Sequence, residues 1–187
     1  MSLYLPQTIA YLWCGSELGL CLIKRSRADA KSKDQHSLWI ILLIYAIAFT
    51  AGISAAYQLP SCRLPGPKIF RDAGVCLFFA GIVLRWCSII YLGRFFTVNV
   101  AIAKNHRVID SGPYRHIRHP SYTGAMLAVL GFTLTLGNWA SLLTLFLPCF
   151  AAQMWRIRIE EAALLEALGE AYANYMKRTK RLIPLIY

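Results

Sequence analysis

Acidic residues are scarce in this 187-residue chain. Nine Asp and Glu stand against twenty Lys and Arg, and the four charged types together make up only 16%. Typical soluble domains carry about 25%, so the shortage argues against water as the main solvent of the surface. Cysteines are few and scattered: Cys14, Cys21, Cys62, Cys76, Cys87 and Cys149, with no CxxC pair. Five of them lie in apolar runs, where a thiol behaves as a small hydrophobe. Neither a disulfide framework nor a metal site is expected. No GxGxxG occurs, which removes a soluble-type dinucleotide fold. The first apolar stretch lacks a basic leader region and contains Glu17 before running into Lys24 and Arg25. It reads as a retained helix rather than a cleaved signal. Internal repeats and low-complexity tracts are absent as well.

Apolar residues are what the chain has in excess, at 57%, with a mean hydropathy of +0.47. A membrane span needs about 20 mainly apolar residues. Five stretches are candidates: Tyr4 to Ile23, Leu38 to Tyr57, Ala73 to Leu92, Tyr122 to Leu136 and Ala140 to Trp155. The last two form a hairpin around Gly137-Asn138, a pair suited to a tight reversal. After Trp155 the pattern turns amphipathic, with Ile159, Ala162, Ala163, Leu165 and Leu168 near one face. Gly169 ends or bends that helix, and a short helix from Glu170 to Lys177 follows. The predicted fold class is all-α: a polytopic membrane bundle of about five transmembrane helices with a C-terminal amphipathic cytoplasmic helix.

The formal net charge of +11 does not read as a nucleic-acid surface, because the basic residues are spread over separate loops instead of forming one stripe. Sixteen of the twenty fall between the first and second spans, between the third and fourth, or after the fifth. Alternating spans put those three segments on one side, which the positive-inside rule makes cytoplasmic. The N-terminus is then outside and the C-terminus inside. The loop Gln58 to Asp72, with Pro60, Pro65 and Pro67, is a rigid outer connector. The expected membrane is the plasma membrane in a prokaryote or the endoplasmic reticulum in a eukaryote.

Chemistry concentrates in two stretches. HRVIDSGPYRHIRHPSYTGAML, His106 to Leu127, is unusually rich in His, Arg, Tyr, Pro and Gly for a loop between spans. Pro120 biases His119 away from the helical region and suits the first position of the fourth helix. The exposed N–H groups there favour an anionic group. WRIRIEEAALLEALGEAYANYMKR, Trp155 to Arg178, places Arg156 and Glu160 four residues apart on one face. Arg holds a carboxylate by two parallel hydrogen bonds, and Glu160 can meet a cation.

GPYRHIRHPSYTG (Gly112 to Gly124), followed after a hydrophobic hairpin by Glu160-Glu161 and LGEAYANYMKRT, resembles the isoprenylcysteine carboxyl methyltransferase family. More broadly it is similar to the membrane methyltransferases that include phospholipid N-methyltransferases. The resemblance covers Arg94 to Tyr187. It implies one integral membrane methyltransferase domain, with 1–72 as variable N-terminal helices and 94–187 as the catalytic half. It implies S-adenosylmethionine as cofactor, in a pocket between membrane and cytosol. The implied cofactor contacts begin with Asn99, His106, Arg107, Val108, Ile109 and Tyr114. His119, Pro120, Ser121, Tyr122 and Glu160 complete them. Arg156 matches the substrate-binding arginine and is the residue implied in catalysis. The implied reaction is O-methylation of the carboxylate of a prenylcysteine-like or other lipophilic acid, so the partners are a lipophilic or prenylated substrate and membrane lipid, without nucleic acid.

Blander readings stand beside these. Arg156–Glu160 also fits a plain helix pair worth about 0.3–0.5 kcal/mol. Arg158 and Glu161 read as solvated partners, and His116 as structural. Tyr114 and Tyr122 fit an interfacial aromatic belt as well as a site. Trp13, Trp39, Trp86 and Trp139 fit the belt or a packing role. Glu17 and Arg85, ionisable groups inside spans, are either functional or paired within the bundle. Alternatives for function are methylation of a phospholipid amine, small thiol or phenol, an NADPH-dependent membrane reductase of the sterol-reductase type, and a scaffold without catalysis.

Overall fold

The computed structural model describes residues 4–23, 31–34, 36–96, 100–102 and 107–183. In chain order these form α1 (Tyr4–Ile23), β1 (Lys31–Asp34), α2 (His36–Gln58), α3 (Pro67–Leu92), β2 (Val100–Ile102), α4 (Pro120–Thr135), α5 (Trp139–Leu168) and α6 (Glu170–Arg178). Each of the five expected spans is a helix. Three of them, Ser37–Gln58, Pro67–Leu92 and Trp139–Leu168, are long and apolar enough to cross a membrane. The molecule is an all-helical, multi-pass integral membrane protein. Its only β-strands among the described residues pair as a two-stranded antiparallel ribbon with Lys31 opposite Ile102 and Asp34 opposite Val100. That ribbon joins two basic loops at one end of the bundle.

Helix α3 makes its most extensive contact with α4, and glycines explain why. Gly74 and Gly81 on α3 face Gly131 and Gly124 on α4, each pair seven residues apart and so on one stripe of its helix. A Cβ at Gly74 would lie 2.6 Å from Gly131 O, and one at Gly124 would lie 2.5 Å from the Arg85 backbone N. Small residues let backbones approach in this way where lipid gives no hydrophobic drive between helices. The contact fixes Arg85 beside the first turn of α4.

The hairpin between α4 and α5 closes as the Gly137-Asn138 pair predicts. Gly137 has φ 62°, which its missing Cβ permits. The Asn138 side chain caps α5, its Oδ1 accepting from Ala140 N at 2.8 Å and Ser141 N at 3.2 Å. Its Nδ2 donates to Leu59 O at 2.8 Å, and Leu64 N donates to Gly137 O at 2.9 Å. The proline-rich connector and the hairpin turn thus brace one another.

The fifth span and the amphipathic stretch after Trp155 are one continuous helix, α5, which ends at Leu168 with Gly169 as its cap, as expected, and has one π-helical stretch at Leu142–Phe146. Pro148 follows that stretch; it cannot donate to Thr144 O and its ring crowds that carbonyl, a recognised cause of such widening. The phase of α5 differs from the sequence reading. Leu165 is 42% exposed and Ala162 is exposed, whereas Arg156, Ile157, Glu161 and Ala163 are buried. The apolar stripe read from sequence is thus split between outside and inside, because polar side chains occupy much of the inner face.

Packed among α1 to α5 is a core that includes Ile9, Phe78, Val129, Phe132, Leu145 and Cys149, with Phe49 stacked on Phe132 at 5.2 Å. Outside it, Trp39, Leu43, Ile47, Val83 and Ile90 are each at least 60% exposed. Such a collar is costly in water and suits lipid. Trp39 and Trp139 fit the interfacial belt, while Trp13 is buried and Trp86 donates to Ser16 Oγ at 2.8 Å.

Candidate active site

At the basic end of the bundle, where β1, β2 and α6 lie, a cavity of about 600 Å3 opens between two walls of different chemistry. Small-molecule sites span roughly 300–1,000 Å3. One wall is apolar and comes from α1 and α2, through Leu18, Ile41, Leu42 and Phe49. The other is polar and comes from the loop before α4, the start of α4, and the last turns of α5.

The loop is shaped by Gly112-Pro113, which turns into a single 3-10 turn over Gly112–Arg115. Tyr91 donates to Ser111 Oγ at 2.9 Å, and the buried Tyr114 donates to Ser88 O at 3.2 Å. From the far side Tyr175 of α6 donates to Tyr114 O at 2.7 Å. The loop is therefore tied between α3 and α6. Burial pushes the Tyr114 phenol well above its usual range, with the Glu160 charge adding to the rise. Burial does the same to Tyr172, with Glu161 second, and to Tyr175. All three stay neutral at ordinary pH.

Pro120 opens α4, and His119 takes a non-helical conformation before it (φ −123°, ψ 55°), as the preceding-proline restriction requires. Tyr122 then reaches α5 and donates to Glu160 Oε2 at 2.7 Å. The two stretches singled out by sequence thus meet directly across 38 residues. Arg156 is only 3% exposed, and its guanidinium donates to Ser37 Oγ from the first turn of α2.

Of the residues expected from sequence, Arg107, Val108, Ile109 and Tyr114 line the cavity from the loop. His119, Ser121 and Tyr122 line it from α4, and Arg156 and Glu160 from α5. Pro120 is fully buried in the first turn of α4 and is not part of the cavity wall. Asn99 and His106 lie outside the described residues.

Further residues join them, two of which the sequence singled out as ionisable groups inside spans. Glu17 and Arg85 do pair, through two 2.7 Å hydrogen bonds, and both also line the cavity. Arg85 reaches Ser121 O and Oγ at 3.3 Å and lies 5.9 Å from the Trp13 ring. Glu161, expected in solvent, is 4% exposed and surrounded by Arg118, His119 and Arg181. The anion that meets the start of α4 through His119 is thus the chain's own. Only the doubled Glu and the Arg preceding His119-Pro120 signalled this cluster in sequence.

Comparison with known proteins agrees with this geometry. The isoprenylcysteine carboxyl methyltransferase family model matches residues 74–166, the stretch holding the glycine-packed helix pair and most of the polar wall. A protein-S-isoprenylcysteine O-methyltransferase of Schizosaccharomyces pombe is 32% identical over 158 residues, covering 79% of this chain and 67% of that protein. Protein-S-isoprenylcysteine O-methyltransferase B of Arabidopsis thaliana is 30% identical over 165 residues, covering 83% and 81%. The solved structure of the eukaryotic intramembrane Ras methyltransferase superposes with a TM-score of 0.72 at 25% identity, over 97% of this chain and 65% of that one. The chain therefore belongs to the isoprenylcysteine carboxyl methyltransferase family of membrane enzymes.

Proposed function

We propose that this protein transfers a methyl group from S-adenosylmethionine to the carboxylate of a prenylcysteine-like or other lipophilic acid. One juxtaposition carries the reading: a buried arginine, Arg156, and the Tyr122–Glu160 pair share a cavity whose opposite wall is aliphatic and aromatic. Relatives named as isoprenylcysteine O-methyltransferases support it, and they favour methyl transfer over the reductase and scaffold readings.

When bound, S-adenosylmethionine supplies a methyl carbon activated by a sulfonium cation. The residues present suit it. Glu160 would offer a carboxylate to its cationic groups, and Tyr114 and Tyr122, which also line the cavity, would offer aromatic surface to it. Arg156 has five donors in a planar fork, enough to grip an acceptor carboxylate while keeping Ser37. The apolar α1–α2 wall takes the acceptor's hydrocarbon.

A carboxylate is ionised at neutral pH and attacks unaided, so no residue has to act as general base. Opposite charges on the two reactants fade in the transition state, and the water-poor wall of Ile41, Leu42 and Phe49 favours that fading. Alignment of the reactants supplies most of the remaining acceleration. An amine acceptor would call for an anion where Arg156 stands, which favours the acid. The clustering of basic residues at one end of the bundle supports a cytoplasmic side for that end, with the N-terminus outside.

Two substitutions test the assignment. Glu160→Ala should abolish or severely weaken S-adenosylmethionine binding by calorimetry in detergent; near-wild-type affinity in a folded variant removes Glu160 from the site. Arg156→Ala should leave cofactor affinity intact while raising the acceptor KM or lowering turnover. Wild-type kinetics from that variant with an acidic acceptor would end the carboxylate reading.

A further inference from the structure

Glutamates 160 and 161 are neighbours on α5, about 100° apart around the helix, and they face different partners. Glu160 takes Tyr122. Glu161 is a buried hub. Its Oε1 accepts from Arg118 Nε at 2.8 Å and lies 3.3 Å from His119 Nε2. Its Oε2 accepts from Arg181 Nε at 2.8 Å, and the Arg181 Nη2 is also 2.8 Å away.

The same partners stitch the C-terminal segment onto the start of α4. Arg118 N donates to Lys180 O at 2.7 Å, His119 N to Arg181 O at 3.0 Å, and Lys180 N to His116 O at 3.1 Å. The Arg118 guanidinium donates to Met176 O and Thr179 O. Thr123 Oγ1 donates to Leu182 O at 2.8 Å. Thr179 and Leu182 are buried. Residues 179–182 therefore run as a strap along 116–119, and one carboxylate ties strap, loop and helix together.

Arg118 and His119 also line the cavity, next to Tyr122, whose ring lies 5.6 Å from that of His119. With a carboxylate accepting at Nε2, a neutral His119 ring carries its lone pair on Nδ1, so the partner sets both tautomer and orientation. We propose that Glu161 is a positioning residue of the methyl-transfer site: it fixes the His119 ring and the Arg118 guanidinium, and makes the C-terminal strap a structural part of the cofactor-facing wall. Glu161 does not line the cavity and acts only through these neighbours. This inference rests on the reading of the cavity as a cofactor site.

Glu161→Gln keeps the size and one acceptor oxygen but loses the charge that two arginines share. In a folded variant, S-adenosylmethionine Kd should rise about tenfold, the net worth of one charge-assisted hydrogen bond, while the acceptor KM stays within about twofold of wild type. In a His119→Ala background the same substitution should add little further loss, because its route is already cut. Arg181→Gln removes one limb of the hub from a partly exposed side chain and should give a smaller shift of the same kind; it carries the test if Glu161→Gln does not fold. An unchanged cofactor Kd in folded variants overturns the proposal, as do equal losses in Kd and acceptor KM or full additivity with His119→Ala. Wild-type protein that binds no S-adenosylmethionine overturns the cofactor reading along with it. Binding by wild type and variants alike overturns only the role of Glu161.

Discussion

Among single residues, the Tyr122–Glu160 contact is the sharpest point of test. Tyr122→Phe removes one hydrogen bond to a charged group, worth about 1.5–3 kcal/mol, and leaves the ring in place. S-adenosylmethionine affinity should fall roughly ten- to a hundredfold, read by calorimetry on a variant whose helical content matches wild type. The tyrosines at the basic end add a pH signature. Burial raises the Tyr175 phenol above its usual value, with Arg118 opposing and Asp110 reinforcing, and Tyr114 and Tyr172 behave alike. A group raised on folding lends its full stability below its unfolded pKa of about 10 and loses it as pH climbs toward the folded value. The thermal midpoint in detergent should therefore drop as pH passes about 10, and Tyr175→Phe should flatten that drop. Which residues were legible follows from where their partners sit. Tyr122, His119 and Glu160 stand in motifs whose residue types announce the chemistry. Glu161 looked solvated, paired with Arg158, because charged side chains on a helix beyond a span usually are, and its actual partner Arg118 lies 43 positions away. Arg156 was legible, but Ser37, its partner from α2, was not, since an isolated serine carries no pattern.

Element-scale behaviour depends on close approach and on phase. Gly131→Ala would drive a methyl group into the Phe78 and Gly74 backbone, and overpacking of this kind costs about 1–3 kcal/mol. Gly15→Ala on α1 meets nothing within 4 Å and should be neutral or stabilising by roughly 0.5–1 kcal/mol, the helix gain of Ala over Gly. Paired melting curves check both. Asn138→Ala loses the cap of α5 together with the bond to Leu59 O, so a loss of about 1 kcal/mol or more is expected. Helix existence was readable from apolar runs, and the reversal at Gly137-Asn138 from its residues. The inward face of α5 beyond Trp155 was not. In water an apolar stripe marks the buried side, but here the inner face carries Arg156, Glu160 and Glu161 while Leu165 is exposed, so hydrophobicity ceases to report direction.

On the scale of the whole molecule, the placement of basic loops predicts an orientation that can be read directly. In a variant retaining only Cys62, which sits in the Pro60–Cys62 turn of the connector opposite the basic end, an impermeant maleimide should label from outside and not from the cytoplasmic face of sealed vesicles. Labelling from the cytoplasmic face alone would invert the proposed topology. The two walls of the cavity carry a longer consequence. The family match begins at residue 74, and most of the polar side chains that line the cavity follow it in sequence, while the apolar wall of Leu18, Ile41, Leu42 and Phe49 is built by helices that precede it. The Glu17–Arg85 bridge and the Ser37–Arg156 bond join the two parts at the cavity itself. A graft of foreign α1 and α2 that keeps those two junctions would exchange the clientele of the enzyme and leave its methylating machinery intact.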